Sequence, residues 1–255
     1  MTTSKTIILG VLALQGAFQE HIEYFNKILE TNQDEYNEYN IEITEIRTKD
    51  DLERCDSLVI PGGESTTMSW IAIRTHLLEP LYDFVSSGKP LWGTCAGLIF
   101  LAKELKNGKM HQKILGALNI QVTRNAFGRQ LDSFSTHLDF SSFIPNCTDF
   151  QTVFIRAPVV TKILSVSDSD TSKQEEAKRS LSPPEIIRSL NTYNNTAPVE
   201  VLYSLKNVDH HNHDLIVAVR QGNVLGTSFH PELADDYRFH KWFLDEFVLK
   251  NVATT

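Results

Sequence analysis

The pentapeptide Gly93-Thr94-Cys95-Ala96-Gly97 places a thiol where the chain must reverse. An apolar run, Leu91-Trp92, leads into it, and good helix formers, Leu98-Ile99-Phe100-Leu101-Ala102, lead out. The stretch Lys89 to Leu98 therefore reads as a buried strand, a tight turn and a helix, the shape of a nucleophile elbow G-x-S-x-G with cysteine for serine. Its glycines relieve a backbone that side chains would crowd, and the helix dipole favours a thiolate at this point. On its own the pattern fits a buried structural cysteine beside a glycine turn equally well.

Two other stretches supply the partners such a thiol needs. Val224 to Phe229 reads as a strand ending in His230-Pro231-Glu232. Alternate residues of an extended segment point the same way, so Glu232 can reach the far nitrogen of His230 while Pro231 stiffens the link. Cys95, His230 and Glu232 then have the types of a nucleophile, a base and an orienting carboxylate, on condition that the two strands are neighbours. Pro61-Gly62-Gly63-Glu64-Ser65-Thr66-Thr67 follows a third strand, Ser57–Ile60, and precedes a helix. Its bare amides, at Gly62 and Gly63, together with the amide of Ala96, suit an oxyanion hole, in which one donor is worth about 2.7–4 kcal/mol. A tight strand-to-helix turn with glycines for geometry alone is the other reading.

The elements that must position these groups alternate. Ile7 to Leu14 is a continuous apolar strand, Ala17 to Leu29 has helical spacing, and Ile41 to Arg47 alternates as a second strand. Thr31 to Asn40 reads as a solvated loop or frayed helix end. Asp50 to Cys55 makes a helical turn, Met68 to Thr75 a helix capped by Ser65, Thr66 or Thr67, and Leu78 to Ser87 another. Beyond the elbow helix, Leu115 to Thr123, Ser133 to Phe140 and Thr152 to Val160 are short strands without long helices between them, an antiparallel extension of a parallel sheet. Val199 to Ser204 and Leu215 to Arg220 alternate, Gln221-Gly222-Asn223 marks a hairpin, and Tyr237 to Leu249 is an amphipathic helix. Val166 to Asn195, rich in Ser, Asp, Glu and Lys, reads as an insertion that is mobile or locally ordered. His210-His211-Asn212-His213 has the look of a metal cluster but reads as a polar loop, since histidines so close together cannot all face one ion on a regular element.

A chain of 255 residues, 41% hydrophobic, can bury one large core, and we expect a single domain over 1–255 with the insertion at about 166–195. A net charge of -8 argues against nucleic acid and anionic membrane as partners. Three cysteines are too few and too irregular for a disulfide framework, and no apolar run approaches a bilayer-spanning length. The expected location is cytoplasmic.

GTCAG, PGGEST and SFHPE together resemble the triad (class I) glutamine amidotransferases. LALQGAFQEH (12–21), PGGESTTM (61–68), GTCAGLIFLAKE (93–104), RNAFGRQLDSF (124–134), FIRAP (154–158) and SFHPEL (228–233) narrow the resemblance to the glutaminase subunit of pyridoxal 5′-phosphate synthase, the PdxT/SNO family. It covers nearly the whole chain apart from the loop near 31–40 and the insertion. The resemblance implies a three-layer, flavodoxin-like α/β fold with a mostly parallel central sheet and antiparallel extension. It implies hydrolysis of L-glutamine to glutamate and ammonia through a γ-glutamyl thioester on Cys95, without a cofactor or metal, and delivery of the ammonia to a (β/α)₈-barrel synthase subunit for vitamin B6 synthesis. It further implies that Gly63, Glu64, Ser65, Arg124, Ile155 and Arg156 line the substrate pocket, the arginines suiting a carboxylate, and that Gln15 and Gly16 contact the partner. Otherwise arginines at strand ends read as solvated or ion-paired surface groups. A non-catalytic scaffold subunit of the same complex, and the glutaminase of another synthase, are the competing readings.

Overall fold

The run TIILGVL forms a strand without alternation because both its faces are covered: Leu9, Val11 and Leu12 have no exposed surface. This is β1 (Thr6–Leu12) of a computed structural model that describes residues 6–124, 133–165, 186–206 and 214–253. There follow α1 (Phe18–Thr31), α2 (Gln33–Tyr36), β2 (Asn40–Ile46), α3 (Lys49–Glu53), β3 (Ser57–Ile60), α4 (Ser65–Arg74), α5 (Leu78–Ser86), β4 (Leu91–Thr94) and α6 (Ala96–Leu101). Next come β5 (Ala102–Lys106), β6 (Leu118–Thr123), β7 (Ser133–Leu138), β8 (Phe150–Ile155), β9 (Val159–Ile163), β10 (Ile186–Arg188), β11 (Val199–Leu205), β12 (Leu215–Gln221) and β13 (Val224–Thr227). The chain closes with α7 (Arg238–Phe243), which runs on through a π-type segment, Leu244–Leu249, into α8 (Lys250–Ala253).

Eleven strands form one sheet in the order β10-β5-β6-β9-β12-β13-β4-β3-β1-β2, with β11 paired to β12. The half β2-β1-β3-β4-β13 is parallel throughout. The other half is antiparallel except where β5 meets β6. The order 2-1-3-4 followed by a last parallel strand is that of flavodoxin-like sheets. Strands β7 and β8 make a separate antiparallel pair.

Alternation along the buried strands sorts side chains into two clusters. Leu58 and Ile60 of β3 share one with Met68, Ala72, Leu81 and Phe100, while Val59 between them shares the other with Phe25, Trp92, Phe239 and Phe243. Helices α4, α5 and α6 thus serve one face, and α1 and α7 the other, giving three layers. Because β1, β3, β4 and β13 are parallel, their carboxyl ends meet along one edge of the sheet, where ligands of open α/β folds are bound.

Several expectations need correction. Thr31 to Asn40 contains α2, pinned by buried Tyr36, whose hydroxyl donates to Asp245 Oδ1 at 2.7 Å. The run Thr152 to Val160 is two strands, broken where Arg156 takes φ +45° and Pro158 lacks an amide. Strand β5, which had no strand signal beyond the elbow helix, starts directly where α6 ends. The end of the expected insertion is ordered: β10 pairs with β5, and Asn195 Nδ2 donates to Gln221 O at 3.2 Å. Its earlier part, 166–185, and the histidine-rich stretch 207–213 lie outside the described residues. Among the described residues no helix is long and apolar enough to cross a membrane.

Candidate active site

Strand β4 is buried at every position and delivers Cys95 to a backbone conformation few L-residues accept, φ +47° and ψ −99°. Such a conformation costs of order 1–3 kcal/mol and persists only where its surroundings enforce it. Here the Cys95 amide donates to Thr227 O at 2.8 Å, and the flanking glycines let α6 press onto the sheet. A Cβ on Gly97 would stand 2.0 Å from the Ile60 carbonyl oxygen, and one on Gly93 2.5 Å from the Gly97 carbonyl carbon. The first bond inside α6 runs from Ile99 N–H to Cys95 O, 3.2 Å, so the Ala96 amide has no helical partner. Cys95 Sγ lies 3.8 Å from Ile155 O. Of the other two cysteines, burial pushes the Cys55 thiol up to about 12 and the Cys147 thiol up to about 11.

The strand carrying the histidine is the direct neighbour of the strand carrying the thiol: β13 pairs in parallel with β4, Thr227 opposite Thr94. Beyond Thr227 the chain is held by Ser228 N–H to Val217 O and His230 N–H to Val153 O, each 2.8 Å. Contrary to the expected extended segment, Pro231 opens a 3₁₀ turn, Pro231–Leu233. That turn brings Glu232 Oε1 to 2.7 Å from His230 Nδ1. Burial alone would lower the His230 pKa, but the neighbouring Cys95 and Glu232 together outweigh burial and push it up to about 10. Glu232 is 2% exposed. Burial works against its ionisation, and the neighbouring His21 and His230 hold its carboxyl below the usual range.

The Gly62-Gly63 turn packs on this assembly. A Cβ on Gly62 would meet His230 Cε1 at 2.3 Å, and one on Gly16 would meet Gly62 O at 1.8 Å. Gly62 O accepts from Ala17 N–H at 3.2 Å, so in a trans peptide the Gly63 N–H points to the opposite side. Gln15 Oε1 accepts from Glu64 N–H at 3.2 Å, while Gln15 Nε2 is buried without a partner among the described residues.

The remaining residues singled out from the sequence fall into three groups. Glu64, not a serine or threonine, caps α4: its carboxylate accepts from Thr66 N–H at 3.1 Å and Thr67 N–H at 2.7 Å. Burial is the largest single influence on Glu64 and raises its pKa, but its hydrogen bonds from Thr66 and Thr67 together outweigh burial and bring it down to about 2. Arg124 Nη2 donates to Glu64 Oε1 at 3.0 Å and Nη1 to Thr66 Oγ1 at 3.2 Å, so the two residues act as a pair. Ser65 is buried and accepts from Gln112 Nε2 at 3.0 Å. Ile155 contributes its carbonyl beside Cys95, and Arg156, exposed, makes no ion pair among the described residues. Residues 125–132, which include the rest of the RNAFGRQ stretch, lie outside those described. Among the described residues no group of three or more His, Cys, Asp or Glu is placed to hold a metal ion.

Residues 11–182 and 186–249 match the SNO glutamine amidotransferase family. The chain belongs to that family. It is 46% identical over 251 residues to pyridoxal 5′-phosphate synthase subunit SNO1 of Saccharomyces cerevisiae, covering 97% of this chain and 96% of the relative. It is 38% identical over 237 residues to pyridoxal 5′-phosphate synthase subunit PdxT of Herpetosiphon aurantiacus, covering 92% and 98%. A solved structure described as a glutamine amidotransferase superposes with a TM-score of 0.64 at 36% identity, over 93% of this chain and 97% of that one. The flavodoxin-like class I glutamine amidotransferase fold and a glutamine-hydrolysing activity follow from that membership.

Residues around the site of this glutamine amidotransferase that motif reading passed over are His21, Thr94 and His240. His21 Nε2 lies 3.5 Å from Glu232 Oε2 and 3.3 Å from Thr94 Oγ1, and its Nδ1 is 2.8 Å from His240 Nε2. The signal available was a histidine on the buried side of α1, one turn before Phe25.

Proposed function

We propose that the chain hydrolyses L-glutamine to L-glutamate and ammonia with Cys95 as nucleophile, His230 as proton carrier and Glu232 as its orienting carboxylate. The observation that carries this reading is the pairing of β4 with β13, which puts Cys95 and His230 just beyond the ends of neighbouring parallel strands, with Glu232 Oε1 2.7 Å from His230 Nδ1. The Cys95 thiolate attacks the side-chain amide carbon of glutamine, and the carbonyl electron pair moves to oxygen. Gly63 and Ala96 amides, at the Gly62-Gly63 turn and the elbow, stabilise that oxyanion. His230 gives its proton to the departing nitrogen, the C–N bond breaks, and ammonia leaves a γ-glutamyl thioester. His230 then takes a proton from water, whose oxygen attacks the thioester; the C–S bond breaks to release glutamate and restore the thiolate.

Arg156, without an ion pair among the described residues, takes the substrate α-carboxylate, and the Glu64–Arg124 pair, with Ser65 and Ile155, shapes the pocket's remaining wall. The ammonia goes to a synthase partner, a (β/α)₈-barrel subunit that builds pyridoxal 5′-phosphate. The names of the SNO and PdxT relatives support this destination. The test is glutamate release from L-glutamine by the purified chain, alone and with the barrel subunit. A rate that rises with the partner is expected. No hydrolysis in either condition by a folded protein would overturn the reading.

A further inference from the structure

Glu232 has two carboxylate oxygens, and only one is accounted for by the triad. Oε1 receives His230, whereas Oε2 is buried with no hydrogen-bond donor in bonding geometry among the described residues. A buried carboxylate oxygen left unmatched is costly, so its surroundings bear on how the carboxylate is held. The group facing Oε2 is His21 Nε2, at 3.5 Å, and behind His21 stands His240, Nδ1 to Nε2 at 2.8 Å. Neither ring has exposed surface. Both are walled by aromatics: Trp92 sits edge-on to His21 at 5.5 Å and to His240 at 5.0 Å, and Phe25 lies 5.1 Å from His240.

The tautomers follow from the partners. Burial lowers the pKa of both rings, so each is neutral and carries one N–H. His240 Nδ1 has no hydrogen-bond partner among the described residues. A bare lone pair there costs less than a stranded N–H, which puts the His240 proton on Nε2, where it donates to His21 Nδ1. His21 Nδ1 is then an acceptor, and its own proton is on Nε2, which meets Thr94 Oγ1 at 3.3 Å and stands 3.5 Å from Glu232 Oε2.

We infer that His21, oriented by His240, is a positioning residue for the reaction: it holds the second oxygen of Glu232 so that the first stays on His230. The array reads Cys95, His230, Glu232, His21, His240, joining the elbow to α1 and α7 across the sheet's covered face. Contacts of this kind shorten when the reacting charge develops, as catalytic hydrogen bonds often do on passing from the free to the substrate-bound state. The inference rests on the triad proposed above, and its tests separate the two: the parent's own glutaminase activity tests the triad, and the variants and spectra below test the relay.

The experiment is glutamine hydrolysis by the chain with its synthase subunit, comparing His21→Leu, His21→Gln and His240→Phe. His21→Leu is expected to lower kcat about 10- to 100-fold, the range for loss of a group that orients a catalytic one, with KM within about twofold. His21→Gln, which keeps a donor, is expected to recover most of kcat, and His240→Phe to lie between. A folded His21→Leu protein with kcat within about twofold of the parent would overturn the inference, as would equal losses in His21→Leu and His21→Gln. Should His21→Leu fail to fold, nitrogen-15 spectra of the unsubstituted protein decide instead. Both His21 and His240 are expected as Nε2–H tautomers, and an Nδ1–H tautomer at His21 would overturn the inference.

Discussion

Two carboxylates flank the site, and their surroundings could hardly differ more. The Glu64 side chain is 49% exposed yet fully engaged, accepting from two backbone amides, the Thr67 hydroxyl and Arg124. Glu232 is 2% exposed and has one close donor, His230, with His21 standing back at 3.5 Å. Both are held ionised, Glu64 by helix-end amides that satisfy it permanently, Glu232 by neighbouring imidazoles, of which His230 can change protonation. A saturated carboxylate anchors a loop. A buried and incompletely satisfied one responds to a proton arriving on its neighbour, which is what an orienting carboxylate in a triad does.

The comparison is sharpened first at Cys95, which with Glu232 sets the ionisation of His230. Cys95→Ala should reduce glutamate release by more than about 10⁴-fold, since removal of a triad nucleophile costs on the order of 10⁶. Binding to the synthase subunit, measured by sedimentation or titration calorimetry, should be unchanged. The same substitution removes one of the groups that hold the His230 pKa up at about 10, so an NMR titration should find it lower in the variant. The sign follows: a raised histidine pKa stabilises the fold at pH below about 6.5, and this contribution is lost as pH rises through about 10. The stability difference between parent and Cys95→Ala should therefore shrink across that window.

Glu232→Gln should follow, lowering kcat by about 10²- to 10⁴-fold with little change in KM, because the amide can present the wrong group to His230 Nδ1. Equal activity in Glu232→Gln and the parent would break the contrast. Glu64→Ala should cost about 0.5–2 kcal/mol of stability in denaturant unfolding, the loss of a helix cap, and raise KM more than it lowers kcat as Arg124 loses its tether. Glu64 has a lowered pKa, so its contribution is present above about pH 4.5 and lost as pH falls towards about 2. Parent and Glu64→Ala should converge in stability over that range.

The glycine turns, the elbow and the HPE tripeptide were legible because each needs particular residue types at fixed spacing. Adjacency of β4 and β13 was not, since it depends on strand order across about 130 residues of intervening chain, a matter of tertiary pairing rather than local pattern. The 3₁₀ turn at Pro231–Leu233 replaced an expected extended link, because proline suits both geometries. Glu64 as the cap of α4 was missed since serine and threonine are the preferred caps and three of them follow it. Short strands β5 and β10 carry too few residues to show a period, and each forms only because a partner edge is waiting. His21 and His240 lie on different helices far apart in the chain, and nothing local marks a buried histidine pair.

The most direct test of the account is to quench the complex in acid during turnover of L-glutamine and determine the mass of peptides spanning residue 95. A γ-glutamyl adduct on Cys95, formed in the parent and lost together with glutamate release in Cys95→Ala, is the predicted result. Sustained glutamate release by Cys95→Ala, with no adduct on the parent's thiol, would contradict it.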